Sequence, residues 1–222
     1  MRRKSGYLAF LTAAALFLSV CGCNSAGPGH AEETSIRLAK NMVLKRGWSE
    51  LPVAIYISNS VPERFRPAIV EAMEMWNDEA GIPIFEYAGE TPDDAQGRDG
   101  LNGIYWDENP SPKGYFGEAR TTTVNKDVIV ESDIVFFGDP DSFDTLSCED
   151  GKEICRSKVM KKDVKTTALH ELGHVLGFVH TDGPADIMNP DFQAGDVHCR
   201  FDALLISELQ DVYGPIMIAD AR

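Results

Sequence analysis

The chain has 222 residues, 43% hydrophobic and 9% aromatic, and carries 21 Lys and Arg against 35 Asp and Glu for a formal charge of −14. That is enough apolar material to bury the core of one domain, or of two small ones, and it excludes wholesale disorder. It also speaks against nucleic acid as a partner, because a phosphate-binding surface needs clustered Lys and Arg, which a chain this anionic would assemble against its own field.

Arg2, Arg3 and Lys4 precede a largely apolar run from Tyr7 to Val20. The run is too short for a comfortable membrane span and suits a signal peptide, so export is expected. It closes on Val20-Cys21-Gly22-Cys23-Asn24, which resembles the lipobox of bacterial lipoproteins, where a small residue precedes the Cys that is lipidated and becomes N-terminal. Gly22 fits the small position and Val20 fits it poorly, so Cys23 is the candidate lipidation site and residues 1–22 the discarded signal. A plain cleaved signal with two incidental cysteines is the alternative. Asn24 resembles the outer-membrane sorting pattern of Gram-negative lipoproteins, which implies an exported lipoprotein at the outer membrane, on its periplasmic or surface face. Removal of 22 residues with three positive charges and no negative ones leaves 200 residues and a charge of −17. Residues 23–47 then read as a lipidated N-terminus and a flexible tether, opening with Asn24-Ser25-Ala26-Gly27-Pro28-Gly29. A coil of that length spans roughly 25–30 Å.

From Trp48 to the end, residues 48–222, the pattern is globular and without internal repeat. Pro52 to Ile57 is an apolar, β-branched run of strand length. Ile69, Met73, Trp76 and Ala80 recur at helical spacing, which predicts a helix over about Pro67 to Ala80, with Pro67 tolerated in the first turn and Gly81 as a left-handed stop. Four more strands are predicted at Ile84–Tyr87, Gly103–Trp106, Tyr115–Thr122 and Val128–Phe137, separated by Gly, Pro and Asn turn signals. With a later helix, this reads as an α+β domain on a mixed sheet.

The chemistry begins in that later helix. His170-Glu171-Leu172-Gly173-His174 sits among the apolar positions Val164, Ala168, Leu169, Leu172, Val175 and Leu176, with Asp163 as the N-cap. Residues four apart share a helix face, so His170 and His174 can present two imidazoles to one ion. Glu171 lies about 100° round the helix from His170 and can address the ion's open position without ligating it. His180 could not reach the same ion if the helix ran on, since it would stand about 9 Å further along the axis on another face. The helix must therefore end between them, and Gly177 can end it by taking a positive φ at no steric cost. Three neutral imidazoles and one open position make the ligand set of a catalytic zinc. Two alternatives remain: helix-surface histidines with no metal, and an intact zinc site without protease function.

The segment His170 to His180 resembles the extended zinc-binding motif of the metzincin metallopeptidases, most closely the matrixins. Metzincins also carry a Met-turn beneath the zinc ligands, and Asp186-Ile187-Met188-Asn189-Pro190 follows here at a similar interval, with Thr181 in place of the usual serine after the third histidine. The resemblance covers Trp48 to Pro215, including Trp76-Asn77, the strand Ser132 to Phe137 and the closing Leu209 to Gly214. It implies a metzincin-like fold: a twisted, mixed five-stranded sheet with a backing helix, an active-site helix and a C-terminal helix. It further implies one catalytic Zn2+ held by His170, His174 and His180, Glu171 as general base, and Met188 as the Met-turn residue. Substrate in that family lies extended along an edge strand, by order about Tyr115 to Arg120 here. Tyr115, Phe116, Gly117 and Pro190 are thus candidate pocket residues.

There are departures. No histidine occurs between His30 and His170, so the second, structural zinc of vertebrate matrixins has no imidazole ligands; their propeptide cysteine switch is missing; and Leu204 and Leu205 stand where many closing helices carry acids. Asp139, Asp141 and Asp144 follow a strand where matrixins often bind calcium, and an acidic solvated loop explains them equally well. Cys148 and Cys155 flank an Asp150-Gly151 turn and can form a disulfide in an oxidising compartment, against free thiols or another pairing. His30 and His198 read as ordinary surface residues, and Arg156, Lys158, Lys161, Lys162 and Lys165 as a solvated basic loop. The reading is a zinc-dependent endopeptidase, monomeric, acting on polypeptides and touching the membrane only through its lipid anchor. A non-catalytic surface lipoprotein that uses the same fold to bind protein is the competitor.

Overall fold

Residues 47–92, 97–125, 127–147, 154–183, 186–198 and 201–220 are described by a computed structural model. The signal segment, Cys23 and the tether to residue 46 lie outside them, as do Cys148 and the side chain of Cys155, and so the disulfide expected between the two cysteines.

The apolar β-branched runs become the strands of one sheet: β1 (Gly47–Trp48), β2 (Val53–Ser58), β3 (Phe85–Thr91), β4 (Gly103–Asp107), β5 (Gly117–Val124) and β6 (Val128–Phe137). The spatial order is β3-β2-β4-β6-β5, every pairing parallel except that of β5 with β6. β5 occupies one edge of β6, so β1, paired at Val128 and Ile129, and β4, paired at Ile134 to Phe137, share the other. The five strands expected from sequence are β2 to β6. The short β1 is an addition that draws Gly47 out of the expected tether. β5 starts two residues later than the sequence suggests, because Gly114 takes a left-handed turn (φ 78°) closed by its N–H on Ser111 O at 2.9 Å, which leaves Tyr115 exposed ahead of the strand.

Helix α1 (Arg66–Ala80) has Pro67 in its first turn and ends at Gly81 with φ 71°. It buries Ile69, Met73 and Trp76 against the sheet and against α2 (Val164–Val175), the helix that carries the histidines. Trp76 donates its indole N–H to Leu169 O at 3.1 Å and stacks on Phe178, tying α1 to both ends of the histidine segment. Asn77 Oδ1 accepts from the N–H groups of Ile84 and Phe85, both at 2.8 Å, and so sets where β3 begins. A second aromatic cluster stacks Trp106 on Phe65 and Phe136, each at 5.3 Å, with Phe143 edge-on at 4.7 Å. Contacts of this kind contribute about 0.5–1.5 kcal/mol each beyond area burial. Two small ladders flank α2: β7 (Phe143–Asp144) with β9 (Lys162–Asp163), and β8 (Ile154–Arg156) with β10 (Asp196–His198). Helix α3 (Ala203–Asp220) closes the domain, with Leu205, Leu209 and Tyr213 buried.

Candidate metal centre

Asp163 starts α2 as expected: one carboxylate oxygen accepts from Thr166 N at 2.8 Å and Thr166 Oγ1 at 2.6 Å, the other from Leu146 N at 2.9 Å. Burial pushes this carboxyl up, while those donors hold it down. The cap is worth about 1 kcal/mol. The far end stops as the spacing requires. Gly177, at φ 97°, donates its N–H to His174 O and Phe178 donates to Gly173 O, both at 3.0 Å, a Schellman arrangement that reverses the chain.

That reversal returns His180 to the helix. The Nε2 atoms of His170, His174 and His180 lie 3.2, 3.2 and 3.0 Å apart. His170 Nδ1 is 2.7 Å from Ile187 O and His174 Nδ1 is 2.7 Å from Phe178 O. A carbonyl can only accept, so Nδ1 carries the proton in both rings and the Nε2 lone pairs face inward. Burial, assisted for His170 by the neighbouring His174, lowers His170 to about 3, and burial lowers His174 to about 4, so both rings are neutral near pH 7. Two inward lone pairs meet the Nε2 of His180, and a cation held between the three nitrogens satisfies all of them at once. Tetrahedral zinc with Zn–N of 2.0–2.1 Å sets its nitrogens about 3.3 Å apart, and the observed triangle fits it. Among the described residues these three histidines form the one group of His, Cys, Asp and Glu able to hold an ion.

The profile of the matrixins, peptidase family M10, matches residues 53–214. The chain belongs to the matrixin family. Among curated proteins none matches it. Membership places this matrixin in a family of zinc metallopeptidases, and its histidine cluster could hold a metal ion.

In the matrixin, Glu171 turns toward β5. A Cβ on Gly117 would stand 2.9 Å from both Glu171 Cγ and Oε1, and the Ala119 N–H donates to the Glu171 carboxyl. Burial raises this carboxyl to about 8. The three histidines and Glu171 open onto a cleft of about 770 Å3, whose wall includes Tyr115, Phe116, Gly117 and Pro190. Met188 is wholly buried under α2, against Gly173, where no side chain could fit. Its turn is fastened to the segment that carries the third histidine: Thr181 Oγ1 donates to Asp186 Oδ2 at 2.7 Å, Asp186 Oδ1 accepts from Met188 N at 2.9 Å, and Thr181 N donates to Met188 O at 3.1 Å.

Several residues are placed otherwise than the sequence suggests. His198 is buried, not at the surface: β10 pairs with β8, and His198 N donates to Thr166 Oγ1 at 2.9 Å, which brings the ring inside beside Phe192. The calcium reading finds no support, because the three carboxylates do not converge. Asp139 caps a short 3-10 turn by accepting from Asp141 N, Asp141 pairs with Arg64, and Asp144 accepts from Thr145 N. Within the basic run Lys162 departs from the solvated reading. Its ammonium lies 4.5 Å from the Phe116 ring and 4.7 Å from the Phe143 ring, and burial lowers its pKa. Phe192, missed in the sequence, lies 5.3 Å from His170 and 5.7 Å from Phe116 ring to ring, and lines the cleft. Its one sequence signal is an aromatic placed two residues after Pro190.

Proposed function

We propose that the chain is a zinc-dependent endopeptidase that binds a polypeptide extended along β5 and hydrolyses it with Glu171 as general base. The observation that carries this reading is the triangle of inward-facing Nε2 atoms beside a buried glutamate in one open cleft. Zinc, when bound, supplies a Lewis acid that acidifies water and polarises a carbonyl. His170, His174 and His180 would hold it. Glu171 takes the proton of the attacking water and returns it to the departing amine, and the Ala119 N–H steadies its carboxylate throughout. β5 is bonded on one edge only among the described residues, and Phe116 O is already given to Phe137 N. Alternation then turns the backbone groups of Gly117 and the carbonyl of Ala119 toward the cleft, where an added strand needs them. Phe192 and Pro190 bound the side-chain pocket.

The basic start, the apolar run and Gly22-Cys23 support export and lipidation at Cys23, with residues 24–46 as tether to an outer membrane. Trp48 to Pro215 carries 13 basic against 32 acidic residues, which supports cationic or neutral polypeptides as substrates. The deciding experiment incubates the protein with an unfolded polypeptide, with and without a zinc chelator, and identifies fragments by mass spectrometry. Chelator-sensitive internal cleavage is expected. Intact substrate with zinc bound would sink the endopeptidase reading in favour of a binding module.

A further inference from the structure

The last turn of a helix leaves four carbonyls without intrahelical donors. In α2 the Schellman turn takes two, Gly173 O and His174 O. The next two are taken by opposite ends of the domain. Val175 O accepts from the Trp48 indole Nε1 at 2.8 Å, across 127 residues of chain, and Leu176 O accepts from the Tyr213 hydroxyl at 2.7 Å. The Tyr213 oxygen accepts in turn from the Trp48 backbone N–H at 3.4 Å. Gly47 passes so near the ring that a Cβ there would stand 3.2 Å from the Tyr213 oxygen. The ring is wholly buried, and burial raises its phenol to about 12, so it stays a donor at any ordinary pH.

Val175 and Leu176 are the two residues between the second histidine and the glycine turn that carries the third. Gly177, at φ 97°, is a ready hinge, and what stops the last turn of α2 from unwinding about it is whatever holds these two carbonyls. We infer that Trp48 and Tyr213 are positioning residues for the metal centre: their N–H and O–H fix the end of α2, and through it the distance from His174 to His180. The inference rests on the histidine triangle being a zinc site, and it adds to that site two residues far from it in sequence, one at the very start of the domain.

The test uses the full chain with Trp48→Phe and Tyr213→Phe, each of which keeps a ring and removes one donor. Phe65→Leu, in the aromatic cluster around Trp106, serves as a control for general destabilisation. Zinc release to a chromogenic chelator is timed at a temperature where all four proteins are folded by circular dichroism. The visible bands of the cobalt-loaded proteins report the ligand geometry. Release about tenfold faster in each donor variant, with altered cobalt bands and parental behaviour in Phe65→Leu, is the expected result. Equal release from all four proteins with unchanged cobalt bands would overturn this inference alone. Absence of zinc binding by the unsubstituted chain would overturn the metal reading beneath it.

Discussion

Two buried polar clusters sit on different sides of the sheet and behave in opposite ways. On the face away from α2, Asp133 accepts from the N–H groups of Gly97 and Gly103, both at 2.9 Å, and Glu131 accepts from Gly100 N at 2.7 Å. These carboxylates are used up fastening the glycine-rich loop to β6; burial raises Asp133, and the two backbone donors pull it back. At α2 the Nδ1 atoms of His170 and His174 are satisfied by carbonyls, yet three Nε2 atoms are left facing each other. Buried polar groups normally find partners. A cluster that satisfies itself is a fastening, whereas one whose ring nitrogens converge on a single point suits a cation.

The largest effect should come from Glu171→Ala, with peptide cleavage falling by about three orders of magnitude while zinc content by elemental analysis is unchanged. Near-parental turnover would show that the glutamate is only packing. Asp133→Asn should do the reverse. Chemical denaturation should show a loss of about 2 kcal/mol, as one buried backbone N–H loses its acceptor, with zinc stoichiometry intact; loss of zinc would mean that the two clusters are not independent. Gly117→Ala puts a methyl 2.9 Å from Glu171 Oε1 and 3.0 Å from Thr167 Cγ2. Shifting the base by a fraction of an ångström should lower turnover about tenfold, with zinc retained. An unchanged rate would mean that the edge strand does not set the base.

The smallest effect is one of pH on the metal-free chain. Glu171, raised by burial to about 8, contributes stability that is present below about pH 4.5 and is lost as pH rises toward 8. His170 and His174, lowered by burial to about 3 and 4, contribute stability present above pH 6.5 and lost as pH falls. Below pH 6.5 these histidines, with His180 and His198 also lowered by burial, outweigh the glutamates, and above it Glu171 and Glu208, the latter raised by burial to about 7, both withdraw stability as pH rises. Metal-free stability should therefore be highest near pH 6.5 and fall on each side, a profile that zinc should flatten. A monotonic denaturation profile would show that these groups are less buried than their positions indicate.

How much was legible in sequence follows from how local each feature is. Two histidines four apart, a glycine three beyond and a third histidine another three beyond state a helix, its stop and a return, because helical geometry alone decides which residues share a face. The strands β2 to β6 and the helix α1 declare themselves by period and turn residues in the same way. The burial of His198 was not legible, since it depends on β10 meeting β8 and on Thr166 from α2. Nor was the fate of Asp139, Asp141 and Asp144, for an acidic run has the same composition whether it binds calcium, caps a turn or faces water.

By itself, then, the sequence determined the histidine segment, the α+β class and the acidic character of the domain, all of which rest on spacing, pattern or composition. The tertiary structure decided which glycine presses on Glu171, which carboxylates are fastenings, that Phe192 lines the cleft, and that Trp48 and Tyr213 hold the end of α2. Each of these depends on a distance between residues tens to more than a hundred positions apart, and such distances exist only after the sheet and helices have packed.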